Sequence, residues 1–269
     1  MKDLRITQKT AWLFRNRLRD ALSVTRPTEM LSGVVQVDGE YVCGKPYKAN
    51  KRKKKDAEAI KEKITNGKAA RKRITRQEYK NIKKRENRRV VISIREIGGG
   101  SNQASYKMRA FVTTSENETD TTAMIRTCVL PGSIVMSDEC PAYNQLVAHG
   151  YDHRVVQHSI EFCTEDGVND NQCESFNSRQ RRAEYGVFHN MYPQYLQSII
   201  DEFAWREDSR HLTSREMIGG LVRRVFDAGL SKFRGYYQRV DKRGKEMRWE
   251  SFKEPVDGVF GAMRVVPNR

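Results

Sequence analysis

A chain of 269 residues and 31.2 kDa with a formal net charge of +16 can bury one large core or two modest ones. Its 38% hydrophobic content, with only 18 Gly and 7 Pro, argues against a disordered or fibrous chain. No apolar run has the length of a membrane span, and the opening "MKDLRITQKT" lacks the apolar centre of a signal peptide, so the expectation is a cytoplasmic protein with no membrane partner.

In chain order, "LRITQKTAWLFRNRLRDAL" (4–22) predicts a basic amphipathic helix capped by Thr7. "GVVQVDGEYV" (33–42) is a β-rich run beginning after Gly33. Residues 45–89 follow, with 20 Lys/Arg against 5 Asp/Glu, a net of +15, whereas the remaining chain carries 30 against 29. One segment, which includes Lys51, Arg52, Lys53, Lys54 and Lys55, thus supplies nearly all of the excess charge. That density matches a surface that displaces counterions from a phosphate backbone, so a nucleic acid is the expected partner. The alternative is a solvated basic segment without a partner.

"RRVVISIREI" (88–97) and "KMRAFVTT" (107–114) are two further strands joined by a loose hairpin connection. "SENETDTTAMIRTCVL" supplies a cap and a helix over about 119–130, stopped by Pro131-Gly132. A fourth strand (133–140), a short helix from Pro141 and a fifth strand (152–158) come next. "NDNQCESFNSRQRRAEYG" and "YPQYLQSIIDEFAWRED" are both helical patterns, and a last helix starts at Ser214. Three meandering strands followed by right-handed crossovers predict a mixed five-stranded α/β sheet with helices on both faces. The five cysteines (Cys43, Cys128, Cys140, Cys163, Cys173) form no C-x-x-C pair and read as buried free thiols, and Tyr41, Tyr143 and Phe176 as core or sheet-edge aromatics.

Three acids stand out on this frame. Asp38 lies inside the first strand, Asp138 ends the fourth, and Glu174 sits on a later helix with Asn171 one turn before it and Arg181 and Arg182 two turns after. An acid inside an apolar strand is costly unless it is paired or binds a metal. If the first strand is central, Asp38 and Asp138 converge at the edge where open α/β sheets hold ligands. With Glu174 they form an all-oxygen set suited to Mg2+ or Mn2+, the ions that drive phosphodiester chemistry. Arg181, at i+7 from Glu174, lies on the same helix face, where a cation grips a phosphate. His158 in "VVQHS" reads either as a structural histidine or as a neighbour of this site.

The order of elements resembles the ribonuclease H-like fold, and the acids resemble the triad of DDE transposases and retroviral-type integrases. More narrowly, "VVQVDGEYVCGK", "GSIVMSDECPAYNQL", "VVQHS" and "NDNQCESFNSRQRR…EYGVFHNMYPQYLQSIIDEFAWR" are similar to the ISXO-two-like group of bacterial insertion-sequence transposases, over about residues 5–206. The resemblance implies magnesium-dependent DNA strand cleavage and strand transfer at the ends of a mobile element, with double-stranded DNA, both element ends and target, as the partner. It assigns Asp38, Asp138 and Glu174 to the triad, with Asn171 as the alternative third ligand, and places Arg181 where these enzymes carry a Lys or Arg. Asn169, Asn177 and Gly39 depart from it, standing where the group often has His, Trp and Glu.

The resemblance further implies that residues 1–30 close a helix-turn-helix presenting Gln8 and Lys9 to the major groove. The first helix of that motif and any upstream zinc ribbon are missing from the sequence, which points to a truncated copy or to end recognition by other segments. The competing expectation is a helix that simply packs on the catalytic domain. Residues 31–210 are then the catalytic domain and 211–269 a helical, basic extension. Holding two element ends requires at least two copies, so a homodimer or larger assembly on DNA is expected. Two other functions would use these same residues: a nuclease or junction resolvase on the same fold, and a basic nucleic-acid-binding protein without catalysis.

Overall fold

Aliphatic residues alternate with polar ones along "VVQVDGEYVC", and the period of two sorts them onto opposite faces of a strand. In the computed structural model, this run is β1 (Val34–Cys43), the central strand of a five-stranded sheet of order β3-β2-β1-β4-β5. The structure describes residues 5–43, 88–98, 107–156, 164, 167–189, 191–238 and 246–249. Residues 44–87 of the basic segment, Lys51 to Lys55 among them, lie outside the described residues, as do Cys163 and His158.

On one side β1 pairs antiparallel with β2 (Arg88–Ile97), which pairs antiparallel with β3 (Met108–Thr113). On the other side β1 runs parallel to β4 (Ile134–Ser137), and β4 to β5 (Asp152–Val155). This mixed sheet flanked by helices is a ribonuclease H-like α/β fold. Val90, Val91, Ile92 and Ile94 of β2 are all fully buried, because that strand is covered on both faces. Against one face, Val35, Val37 and Ile92 pack with Met124 and Ile125 of α2 (Glu118–Cys128) and with Tyr143 and Leu146 of a 3-10 segment (Pro141–His149). Against the other, Val42, Val91 and Val112 pack with Phe176 of α3 (Asn171–Ala183) and with Leu196, Ile199 and Ile200 of α4 (Pro193–Asp208).

The fourth strand is shorter than its pattern suggests. It stops at Ser137 because the Asp138 carboxylate accepts a hydrogen bond from the Cys140 N–H at 3.1 Å, closing a turn. The pattern from 169 onward becomes helical only at Asn171, since Asn169 is held by other partners, described below. The N-terminal helix, α1 (Gln8–Val24), is capped by Thr7, which accepts the Thr10 N–H at 3.2 Å. It packs on α4: Trp12 meets Tyr195 edge-on at 6.0 Å, Arg19 bonds Glu202 at 2.6 Å, and Arg26, just beyond the helix, bonds Asp201 at 2.7 Å. Gln8 and Lys9 stay exposed at its start. A further helix, α5 (Ser214–Asp227), opens with a Thr213–Glu216 capping box and reaches back to the Thr25 carbonyl through Arg224.

The α3–α4 layer is tied to the sheet by a buried charge hub. Arg95 of β2 is completely buried and faces Glu207 of α4 at 3.6 Å, and Glu207 also accepts from Arg179 of α3 and from Arg210 at 3.1 Å. Removing the acid strands a buried guanidinium, which is far worse than losing an exposed ion pair. Glu207→Ala is expected to destabilise the fold by about 3–5 kcal/mol in urea unfolding. A change below about 1 kcal/mol, typical of surface pairs, would show the hub to be inconsequential.

Candidate active site

Position parity on β1 decides what faces α3. Gln36, Asp38, Glu40 and Val42 alternate with Val35 and Val37, and Val42 packs with Phe176 of α3 whereas Val35 and Val37 pack toward α2. Asp38 therefore projects under α3, where its Oδ2 accepts a hydrogen bond from Asn177 Nδ2 at 2.8 Å. Parallel pairing with β4 covers only Val34 to Gln36, so Asp38 sits where β1 runs on past the end of its neighbour. Asp138 follows that neighbour's last residue directly. The two carboxylates feel one another electrostatically, as does Asp170, the almost completely buried residue that precedes α3.

Burial first, and then the negative charges of Asp170 and Asp138, push the Asp38 carboxyl up from 3.8 to about 7 against the opposing bond from Asn177. A carboxyl in that state relaxes when a positive charge arrives. The chemistry of the donors also fits a hard cation: magnesium is commonly held by one or two carboxylates, with water and substrate oxygens completing its shell.

The helix carrying the third acid is fixed by polar bonds to the sheet. Gln36 uses both ends of its amide: Nε2 donates to Asn169 Oδ1 at 2.6 Å, and Oε1 accepts from the Gln172 N–H at 2.9 Å. The Cys173 thiol, fully buried, lies against the carbonyls of Gln36 and Ser93. Glu174 falls on the same helical face as Asn177 and Arg181 by the 3.6-residue period, yet it is exposed. Asp38 and Asp138 lie near enough to act on one another's charge, Glu174 is exposed, and among the described residues no three His, Cys, Asp or Glu side chains gather closely enough to hold a metal. Three unscreened carboxylates repel, and a long side chain on a helix surface takes the hydrated rotamer. Asn171, the first residue of α3, is likewise exposed.

Arg181 is engaged, forming a two-pronged ion pair with Glu40 at 2.9 and 2.5 Å, while Arg182 is exposed. Asp170 and Glu116 belong to this site although the sequence pattern does not single them out, and Asn177, noted in the sequence only as a departure from the resembled group, belongs to it as the partner of Asp38. The local signal for Glu116 is Gly39, a glycine in mid-strand between two acids, which often marks the close approach of another group. The group is Glu116, whose carboxyl stands 2.3–2.7 Å from where a Cβ at position 39 would lie.

Residues 30–208 match the family model of the ISXO2-like transposase domain. The chain belongs to that family. No curated protein and no solved structure matches it. The matched span contains the whole sheet, Asp38, Asp138 and α3, so this edge of the sheet is the candidate active site of a transposase domain.

The raised carboxyl makes a stability prediction for the metal-free transposase. Above pH 7 the native state must carry the Asp38 charge, and the full cost is present. As pH falls from 7 toward 4 the native carboxyl is protonated while the unfolded one is still ionised, so the cost shrinks, and below about 4 it vanishes. Asp38→Asn should therefore stabilise the chelator-treated protein by about 2–4 kcal/mol at pH 8 and by nothing measurable at pH 4. Urea midpoints across that range check it, and an unchanged midpoint at pH 8 would contradict it.

Proposed function

We propose that this transposase cleaves and joins DNA strands at the ends of an insertion sequence, with Asp38 and Asp138 holding a divalent cation, Mg2+ or Mn2+. The observation that supports it best is Asp38 itself, an acid set in the middle of the central strand beside a second acid, with no ion pair to a cationic side chain among the described residues and with Arg181, the cation that acts on it, paired to Glu40. When bound, the cation activates an oxygen nucleophile and stabilises the leaving oxygen of a phosphodiester. The protein's own residues do the rest. Asn177 fixes the orientation of Asp38, Cys140 N–H that of Asp138, and the Gln36 bridge holds α3 over both. A third oxygen donor comes from α3, either Glu174 or Asn171, and both are exposed. Arg182, and Arg181 beside Glu40, supply positive charge near the phosphate. Bringing two element ends together takes at least two copies of the chain on DNA, and Gln8 and Lys9 are candidates for gripping those ends.

Oligonucleotide cleavage and strand-transfer assays with element ends test this. Asp38→Asn should reduce Mg2+-dependent cleavage by at least about a thousandfold, in line with the removal of an electrostatic group from a reaction centre, with DNA binding preserved. Undiminished cleavage would sink the assignment. Comparing Glu174→Gln with Asn171→Ala identifies the third donor as whichever position is needed for activity. Cleavage without any joining would leave a nuclease.

The basic segment is proposed to track the DNA backbone. Its ends are adjacent, because Cys43 and Arg88 are paired across the β1–β2 ladder, so residues 44–87 are replaceable by a short hairpin turn. The exchange removes eighteen Lys/Arg (the twenty of 45–89 less Arg88 and Arg89). DNA affinity should fall for all sequences alike, and the slope of log affinity against log salt should flatten by about 0.9 for every phosphate the segment had neutralised. An unchanged slope would make the segment a bystander.

A further inference from the structure

Gly39 and Glu116 are two halves of one device. Glycine in a strand interior weakens it unless something needs the space, and here the space holds the carboxyl of Glu116, from the turn between β3 and α2. Gly39 has no positive φ, so its backbone does not demand glycine; the crowding does. The half-buried Glu116 carboxylate accepts from the Tyr143 hydroxyl at 2.7 Å and from the Cys140 thiol. Tyr143 is itself fully buried, with Glu116, Asp38 and Asp138 all close enough to act on its hydroxyl. Cys140 lies in the turn that follows Asp138 and Tyr143 in the 3-10 segment that continues it, and the Cys140 N–H holds the Asp138 carboxylate.

We infer that Glu116 is a positioning residue for the cation site, clamping the Asp138 turn through Tyr143 and Cys140, and that Gly39 exists to admit it. The inference rests on the proposed role of Asp38 and Asp138 as cation ligands. Groups that orient a ligand are worth about 10–100-fold in metal affinity. Gly39→Ala meets only the far end of a flexible side chain, so it evicts Glu116 rather than disrupting the sheet.

The test uses the full chain and reads Mn2+ binding by titration calorimetry without DNA, alongside the Mg2+ concentration that half-saturates cleavage. Circular dichroism melts confirm that each variant is folded. Glu116→Ala should weaken Mn2+ binding about tenfold or more. Glu116→Gln, which keeps an acceptor for Tyr143, should recover most of that deficit. Gly39→Ala should behave like Glu116→Ala, and the double variant should be no worse than either alone, because both remove the same clamp. Unchanged Mn2+ affinity in Glu116→Ala, no recovery in Glu116→Gln, or effects that multiply in the double variant would each overturn the inference. Asp38→Asn separates the two levels. If it binds Mn2+ like the wild type, the assignment of the cation site fails. If it no longer binds Mn2+ while Glu116→Ala binds it as tightly as the wild type, only the role of Glu116 fails.

Discussion

The fold is organised around the cost of placing Asp38 in the middle of its central strand. Burial and two nearby acids work against its charge, and two hydrogen bonds, from the Asn177 amide and the Gly39 backbone, work for it. An isolated carboxylate in such a place normally neutralises itself or finds a cation. Arg181 acts on the Asp38 charge from its ion pair with Glu40, while Arg95 and Arg179 are held by Glu207. On the proposed function, the place beside Asp38 is thereby left to a mobile positive charge.

Holding α3 over that position is the second requirement, and it is met with polar bonds where apolar packing alone would leave the helix free to slide. Phe176 supplies burial, but it is Gln36, facing the same way as Asp38, that sets the helix register by bonding Asn169, just ahead of α3, and Gln172, within its first turn. A buried side chain of this kind discriminates between registers because a shift by one residue leaves its amide unsatisfied. Asp38 and the residue that fixes the helix above it are thus neighbours on one face of one strand.

The strands and their succession along the chain were legible in the sequence because alternation and β-branched runs report burial directly, whereas the central place of β1 entered only as a condition, which the sheet order meets. Asp38 was legible for the opposite reason, as a residue that breaks the pattern. Interactions between distant segments were not. Asn177 reads as an ordinary polar helix residue until it is set against a strand 139 positions away. Glu116 reads as one more acid before a helix cap, and Gly39 as a weak point in a strand, until the two are seen to share one volume. The helix at the N-terminus fitted two roles, and its apolar stripe did not say what would cover it. Trp12 and Arg19 meeting Tyr195 and Glu202 settle that it packs on α4. Glu174 looked equivalent to the other two acids by residue type alone, but helix geometry leaves it at the rim.

Strand β1 also relates the chemistry to the charge. Its antiparallel edge with β2 ends at the Cys43–Arg88 pair, from which the basic segment departs, and its parallel edge with β4 ends beside Asp38. Five residues of extended strand span about 17 Å. That is the length of about five steps along a DNA strand at 3.4 Å each. On the proposed function, a backbone whose scissile phosphate lies at Asp38 passes the root of the basic segment within half a helical turn. A segment rooted closer would crowd the reaction centre, and its lysines would compete with the cation for the carboxylates. One rooted at the far end of the sheet would bind DNA without fixing which phosphate reaches Asp38. On the proposed function, and for a DNA backbone that runs along β1, the length by which β1 continues past Asp38 sets the distance between grip and cut.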